Sequence, residues 1–192
     1  MKATFLKAAA IILSSAIVFS ACKKEKPAEP NDEEVITTMV VKLTPVGGGA
    51  SIEYKFDDPD GPGGGAPTIQ DIVLAPSTSY DAELILLNKT VSPVDTTSKE
   101  VEEEMEAHRF YFEPQAGVNL SITNLDTDAN AVPVGLTSTW TTGAVSTGKL
   151  QITLRHYGAT PPNKAVGDLV TSDKSSTDIS TTDIGGFTVK VQ

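Results

Sequence analysis

Cysteine, histidine and tryptophan are nearly missing from this chain. One cysteine, Cys22, stands near the start and none follows it, so no disulfide can staple residues 23–192 and stability must come from a buried core. A domain of about 160 residues can bury roughly two-thirds of its surface, which suffices without crosslinks. The only imidazoles are His108 and His156, and there is no GxSxG sequence. A nucleophile with its base is therefore not indicated, and no enzyme activity is expected. "GPGGGAP" at 61–67 is glycine-rich but lacks the following Lys-Ser/Thr of a phosphate loop. Basic residues are also scarce, 15 Lys and Arg against 25 Asp and Glu, for a net charge of −10. Such a surface repels phosphate backbones, which excludes a nucleic-acid partner. After Phe19 no apolar run approaches the roughly 20 residues of a membrane span, and no repeat of solenoid or propeller length recurs.

The N-terminus reads as an export signal. Lys2 and Lys7 precede the short apolar run "AAAIILSSAIVF" (8–19), which ends at small residues before Cys22. Its ending, "FSAC", resembles a bacterial lipoprotein box. That resemblance implies cleavage before Cys22, acylation of Cys22, and attachment to a membrane through acyl chains rather than protein. The expected organisation is a signal peptide over 1–21, a lipidated cysteine and flexible tether over 22–34 ("CKKEKPAEPNDEE"), and a folded domain over 35–192. The "KKEK" after the cysteine is similar to the address of surface-exported lipoproteins of Bacteroidota. It implies an outer-membrane anchor facing the cell surface; the alternative is a periplasm-facing one.

Beyond Glu34 the chain becomes a series of short Val-, Ile- and Thr-rich runs separated by Gly, Pro, Asp and Asn clusters. "VITTMVVKL", "ASIEYKF", "QDIVLA", "YDAELILLN", "RFYFEP", "VNLSITNL", "LTSTWTT", "KLQITLRHY" and "GFTVKVQ" each read as strands. About nine strands at this spacing predict an all-β fold, an immunoglobulin-like antiparallel β-sandwich. One short crossover helix is expected in "TTSKEVEEEMEAH". Thr97 and Glu100 there form a capping box, and Val101, Met105 and His108 share a face. The polar segment 166–183 is expected to be a long loop with at most one weak strand, mobile or ligand-facing. The order of these pieces, with "LTP.GGG", "DPDG", "EVEEEMEAHRFYF", "PVGL" and "LRH", resembles a family of small surface lipoproteins of Bacteroidota. Some of its members carry a name implying a type 1 periplasmic-binding fold. The sequence contradicts that name, because such folds need repeated βα units.

Three clusters could carry chemistry. No cofactor is required by the sequence, but Asp57, Asp58 and Asp60, and separately Asp126, Asp128 and Asn130, offer alternating oxygen donors suited to calcium. The same residues are equally turn formers. Glu104 and His108 are spaced i, i+4 and could meet a transition metal with His156; alternatively His108 ends the helix, with its glutamates facing water. Thr96, in "DTT", resembles an O-glycosylation site of Bacteroidota. Aromatics are few, and the lone Trp140 fits either core filling or an exposed carbohydrate platform. The expected function is a non-catalytic lipoprotein that binds a small-molecule ligand or assists an outer-membrane receptor, through loops 57–67 and 166–183. The alternatives are a structural or adhesion module and a metal or haem carrier.

Overall fold

Strict alternation in "SYDAELILL" buries Tyr80, Ala82, Leu84 and Leu86 while Asp81 and Glu83 face solvent, the pattern of a strand with one wet face. The computed structural model describes residues 34–61 and 64–192, and within them repeats this logic over eleven strands. They are β1 (Thr38–Pro45), β2 (Ile52–Asp57), β3 (Thr68–Ile69), β4 (Ile72–Leu74), β5 (Ser79–Leu87), β6 (His108–Pro114), β7 (Leu120–Thr123), β8 (Thr137–Thr142), β9 (Ser146–His156), β10 (Ser176–Ser180) and β11 (Phe187–Val191). Cys22 and the expected signal peptide lie outside the described residues, as does the tether up to residue 33.

The first sheet runs β3-β2-β1-β5-β8-β7; the second runs β10-β9-β11-β4, with β6 paired to β9. All pairs are antiparallel except β4 with β11. The two sheets form an all-β, sandwich-like fold whose shared core includes Met39, Leu43, Leu86, Phe110, Trp140, Leu154 and Phe187. Trp140 is fully buried, donates from Nε1 to Ser138 Oγ at 3.0 Å and meets Phe112 edge-on at 6.1 Å. It is core, not a carbohydrate platform. Gly135 has φ +92°, and a Cβ there would come within 3.0 Å of Phe110 Cβ. Glycine lets the segment before β8 cross against β6, where Phe110 N donates to Val134 O at 2.6 Å.

Two local expectations change. The helix α1 spans only Ser98–Glu103, and Thr97 caps it without a side-chain hydrogen bond because its backbone is already helical (φ −60°, ψ −23°). The chain leaves the helix at Glu104, so Val101 and Met105 still pack inward, but His108 begins a strand. Segment 166–183 is not an open loop. Arg109 on β6 donates to the carbonyls of Ala165 (2.9 Å), Val166 (3.1 Å) and Asp168 (3.3 Å). Arg155 on β9 grips Ser172 O at 2.8 Å and Ser175 Oγ at 2.9 Å, and its guanidinium also meets Thr177 Oγ1. Those arginines draw the chain onto β9, where β10 forms.

One buried ion pair ties these pieces together. Lys164 Nζ sits 2.9 Å from Asp128 Oδ2, with side chains 1% and 2% exposed, and also donates to the carbonyls of Met105 (2.6 Å) and His108 (2.9 Å). Removing one partner strands the other's charge in the interior. Lys164→Met should therefore cost about 3 kcal/mol, a fall of roughly 6–12 °C in Tm for a domain of this size. Thermal unfolding checks this, and Lys164→Met with Asp128→Asn should lose clearly less than the single variant.

Candidate metal centre

Strand pairing brings both histidines to one spot. His108 opens β6, His156 closes β9, and the antiparallel register sets them directly opposite. Their rings stack with centroids 4.6 Å apart. On the other edge of β9, β10 pairs as Ser176↔His156 and Thr177↔Arg155, then resumes at Ile179↔Leu154. Asp178 is the extra residue of this β-bulge. A bulge re-aims a side chain, and here the Asp178 carboxylate turns inward against the imidazoles with no exposure at all. The fourth member, Glu34, comes from the segment ahead of β1 in the other sheet. Val35 is 51% exposed and Ile36 is buried, so the alternation of this short lead-in turns Glu34 inward.

The four side chains converge on one point. His108 Nε2 lies 3.1 Å from Glu34 Oε1 and 3.7 Å from Asp178 Oδ2. His156 Nδ1 lies 3.5 Å from Glu34 Oε2 and 3.7 Å from Asp178 Oδ1. One ligand atom from each of the four lies within 4.8 Å of the others, and among the described residues no other set of three or more His, Cys, Asp and Glu converges this way. Both imidazoles are at most 1% exposed, and the Glu34 carboxylate 9%. His108 Nδ1 is 3.0 Å from the carbonyl of Glu104. A carbonyl only accepts, so Nδ1 carries the proton, and a neutral ring then presents a bare Nε2 lone pair to the carboxylates. Glu34 Oε2, His108 Nε2 and both Asp178 carboxylate oxygens are buried without a hydrogen bond.

Burial shapes the protonation of the cluster. It pushes the Asp178 carboxyl up to about 6, against the opposing pull of His156 and with the Glu34 charge adding to it. Burial acts the same way on Glu34, but the two imidazoles beside it outweigh that and hold it below the usual carboxylate range. His156 is pulled down by burial, yet Asp178, and then Glu34 and Glu104, keep it above an ordinary imidazole.

Of the residues singled out in the sequence, His108 and His156 do meet. Glu104 contributes its backbone carbonyl instead of its carboxylate, because the helix ends there. Glu34 and Asp178 went unnoticed, one read as the end of a tether and the other as part of a polar loop. Most carboxylates of the Asp-rich turns have protein partners, though Asp58 Oδ1 is buried without one. Asp57 pairs with Lys89 and Thr38, each at 2.5 Å, while Asp60 accepts from Gly65 N at 2.7 Å. Burial, with Asp60 nearby, pushes Asp58 up. Asp126 accepts from the amides of Gly135 and Thr137, both at 2.9 Å, and Asp128 from Val132 N and from Asn130 N, besides Lys164. Thr96 is half-buried, its amide bonded to Asp95 Oδ1 at 2.8 Å, and it lines a surface cleft of about 530 Å³ with Leu84, Lys99, Glu102, Met105 and Leu136. That cleft contains none of the four converging residues.

The cluster sets the sign of the pH dependence. Asp178 binds its proton more tightly folded than unfolded, so its contribution to stability falls as pH rises from 3.8 toward about 6. The raised His156 continues that fall above 6.5. Glu34 acts oppositely, but only below 4.5. In a chelator, urea unfolding should show lower stability at about pH 7.5 than at about pH 5. A metal ion requires deprotonated ligands, so in zinc the slope should reverse.

No protein-family model matches the chain, and no curated protein or solved structure is similar to it, so the reading of this centre rests on its geometry.

Proposed function

We propose that this protein is a lipid-anchored envelope protein whose sandwich domain holds a divalent transition metal at Glu34, His108, His156 and Asp178, and that its role is non-catalytic. The observation that carries this reading is the convergence of ligand atoms from four separate segments on one point, where Glu34 Oε2, His108 Nε2 and both Asp178 oxygens are buried without a hydrogen bond. With every ligand deprotonated, as a metal ion requires, the two carboxylates and two imidazoles carry a charge of −2 in the interior, where unpaired charge is costly. One divalent cation neutralises it. Imidazole nitrogen with carboxylate oxygen suits zinc and its neighbours rather than calcium, which takes six to eight oxygens.

Four protein ligands fill a tetrahedral shell. Catalytic zinc sites keep one position for water or substrate, whereas closed ones hold the fold or store the ion. The same closeness leaves no support for haem. The lipoprotein box at Cys22 supports the anchor, and the Bacteroidota resemblance supports a surface-facing outer membrane. Among the described residues no helix is long and apolar enough to cross a membrane. The cleft beside α1, within the 300–1,000 Å³ range typical of small-ligand sites, favours a second reading in which the domain also binds a ligand or assists a receptor.

Metal binding tests the proposal directly. Zinc at a hundredfold excess over its Kd should stabilise the domain by about 2.7 kcal/mol and raise Tm by roughly 5–11 °C. Cobalt should give the intense visible bands of a four-coordinate ion. His108→Ala and His156→Ala should each remove both signals, while Cys22→Ala should lose acyl labelling yet keep them. A wild-type protein that takes up no zinc or cobalt and shows no shift in Tm would overturn the metal reading.

A further inference from the structure

Three of the four ligands belong to one sheet, and the fourth does not. His108, His156 and Asp178 sit on adjacent strands β6, β9 and β10. Glu34 stands four residues ahead of Thr38, where β1 begins as an interior strand of the opposite sheet, between β2 and β5. It is also the last residue of the stretch read as the leash from Cys22. We propose that a tetrahedral zinc ion at this centre clasps the two sheets together through Glu34, at the point where the lipid leash enters the domain. This rests on the metal reading above and adds to it the identity of the ion and the work it does.

Four convergent ligands are the number a tetrahedral zinc ion takes. With zinc bonds of about 2.0–2.1 Å, neighbouring ligand atoms of a tetrahedron lie about 3.3 Å apart. Each imidazole nitrogen faces a different oxygen of each carboxylate, at 3.1, 3.5, 3.7 and 3.7 Å, and one atom from each residue lies within 4.8 Å of the other three, close enough for one ion to gather them. Direct hydrogen bonds between these groups would draw most of them closer, to about 2.7–3.2 Å. Each imidazole approaches both carboxylates, so a single ion between them can take one atom from each of the four residues.

Three ligands are preset and one is not. His108 is oriented by the Glu104 carbonyl on its Nδ1, and its own carbonyl is held by Lys164 at 2.9 Å. Such outer contacts are what hold a ligating imidazole in place. His156 is locked by the ladder to β6 and Asp178 by the flanking pairs of β10. Glu34 lies in a stretch of irregular backbone, residues 34–37, which joins the first sheet at Thr37, whose amide donates to Leu87 O at 2.9 Å. Without a cation, Glu34 and Asp178 present two negative charges to each other. The cheapest relief is for Glu34 to swing into water, since Asp178 cannot leave without unpairing β10. With the cation in place, Glu34 is bonded to the second sheet. A pull on the leash then loads β6, β9 and β10 as well, instead of peeling β1 from β2 and β5.

Hydrogen–deuterium exchange on the mature acylated chain in lipid nanodiscs tests this, comparing the chelator-treated protein with the same protein in saturating zinc. Exchange of the peptide over residues 34–41 should slow at least tenfold with zinc. Glu34→Gln, altered outside every strand, should still take up zinc through three ligands at higher concentration, but without that slowing. Asp178→Asn should also bind more weakly, yet keep the slowing once saturated, because Glu34 still reaches the ion. Zinc uptake with no slowing in wild type, or with equal slowing in Glu34→Gln, would overturn the clasp and leave the metal site standing. A wild type that takes up no zinc removes both.

Discussion

Burial of ionisable groups without water is the constraint on which this structure turns. At Lys164 and Asp128 it is met by an ion pair with every remaining valence supplied by backbone: carbonyls for the ammonium, amides for the carboxylate. Where Glu34, His108 and Asp178 meet beside His156, Glu34 Oε2, His108 Nε2 and both Asp178 oxygens are buried without a hydrogen bond. Buried polar atoms in folded proteins are nearly always paired, so a set of orphans aimed at one point indicates something to be held there. These two sites share the turn between α1 and β6. Lys164 fixes the carbonyl of His108 while the Glu104 carbonyl fixes its ring, so the satisfied site orients the unsatisfied one.

The fold supplies the rest through strand pairing. An antiparallel register places His108 and His156 side by side, a bulge turns Asp178 inward, and the lead-in to β1 brings Glu34 across from the other sheet. None of this needs a helix or a long loop. Arg109 and Arg155, on the opposite face of the same two strands, hold down segment 165–177, from which β10 and Asp178 emerge. A polar stretch of low β-propensity thus becomes a strand because two guanidinium groups bind its carbonyls and hydroxyls.

Much of the fold was legible in the sequence because period-two alternation is local. "SYDAELILL" and "RFYFEP" declare their buried faces without help from the rest of the chain. The centre was only half legible. The two histidines stood out by rarity, but pairing His108 with the Glu104 carboxylate assumed that the helix continues for another turn, and it stops at Glu104. Asp178 depends on a bulge, which follows from how β10 meets β9 and leaves no mark in "SSTDIS". Glu34 ends an acidic, proline-bearing run whose composition signals a leash, and only the tertiary fold shows Glu34 itself turned against the two histidines. In the loop 126–130 Asp126 and Asp128 accept from backbone amides, the turn-forming use that the sequence offered beside calcium, because carboxylates of either kind share this spacing.

X-ray absorption at the zinc edge, on protein purified from its native host without added metal, tests the central claim most directly. The account predicts one zinc per chain with two imidazole nitrogens and two carboxylate oxygens at about 2.0–2.1 Å and no inner-shell water. Protein that arrives metal-free and fails to acquire zinc, or a zinc spectrum without imidazole scattering, would contradict it.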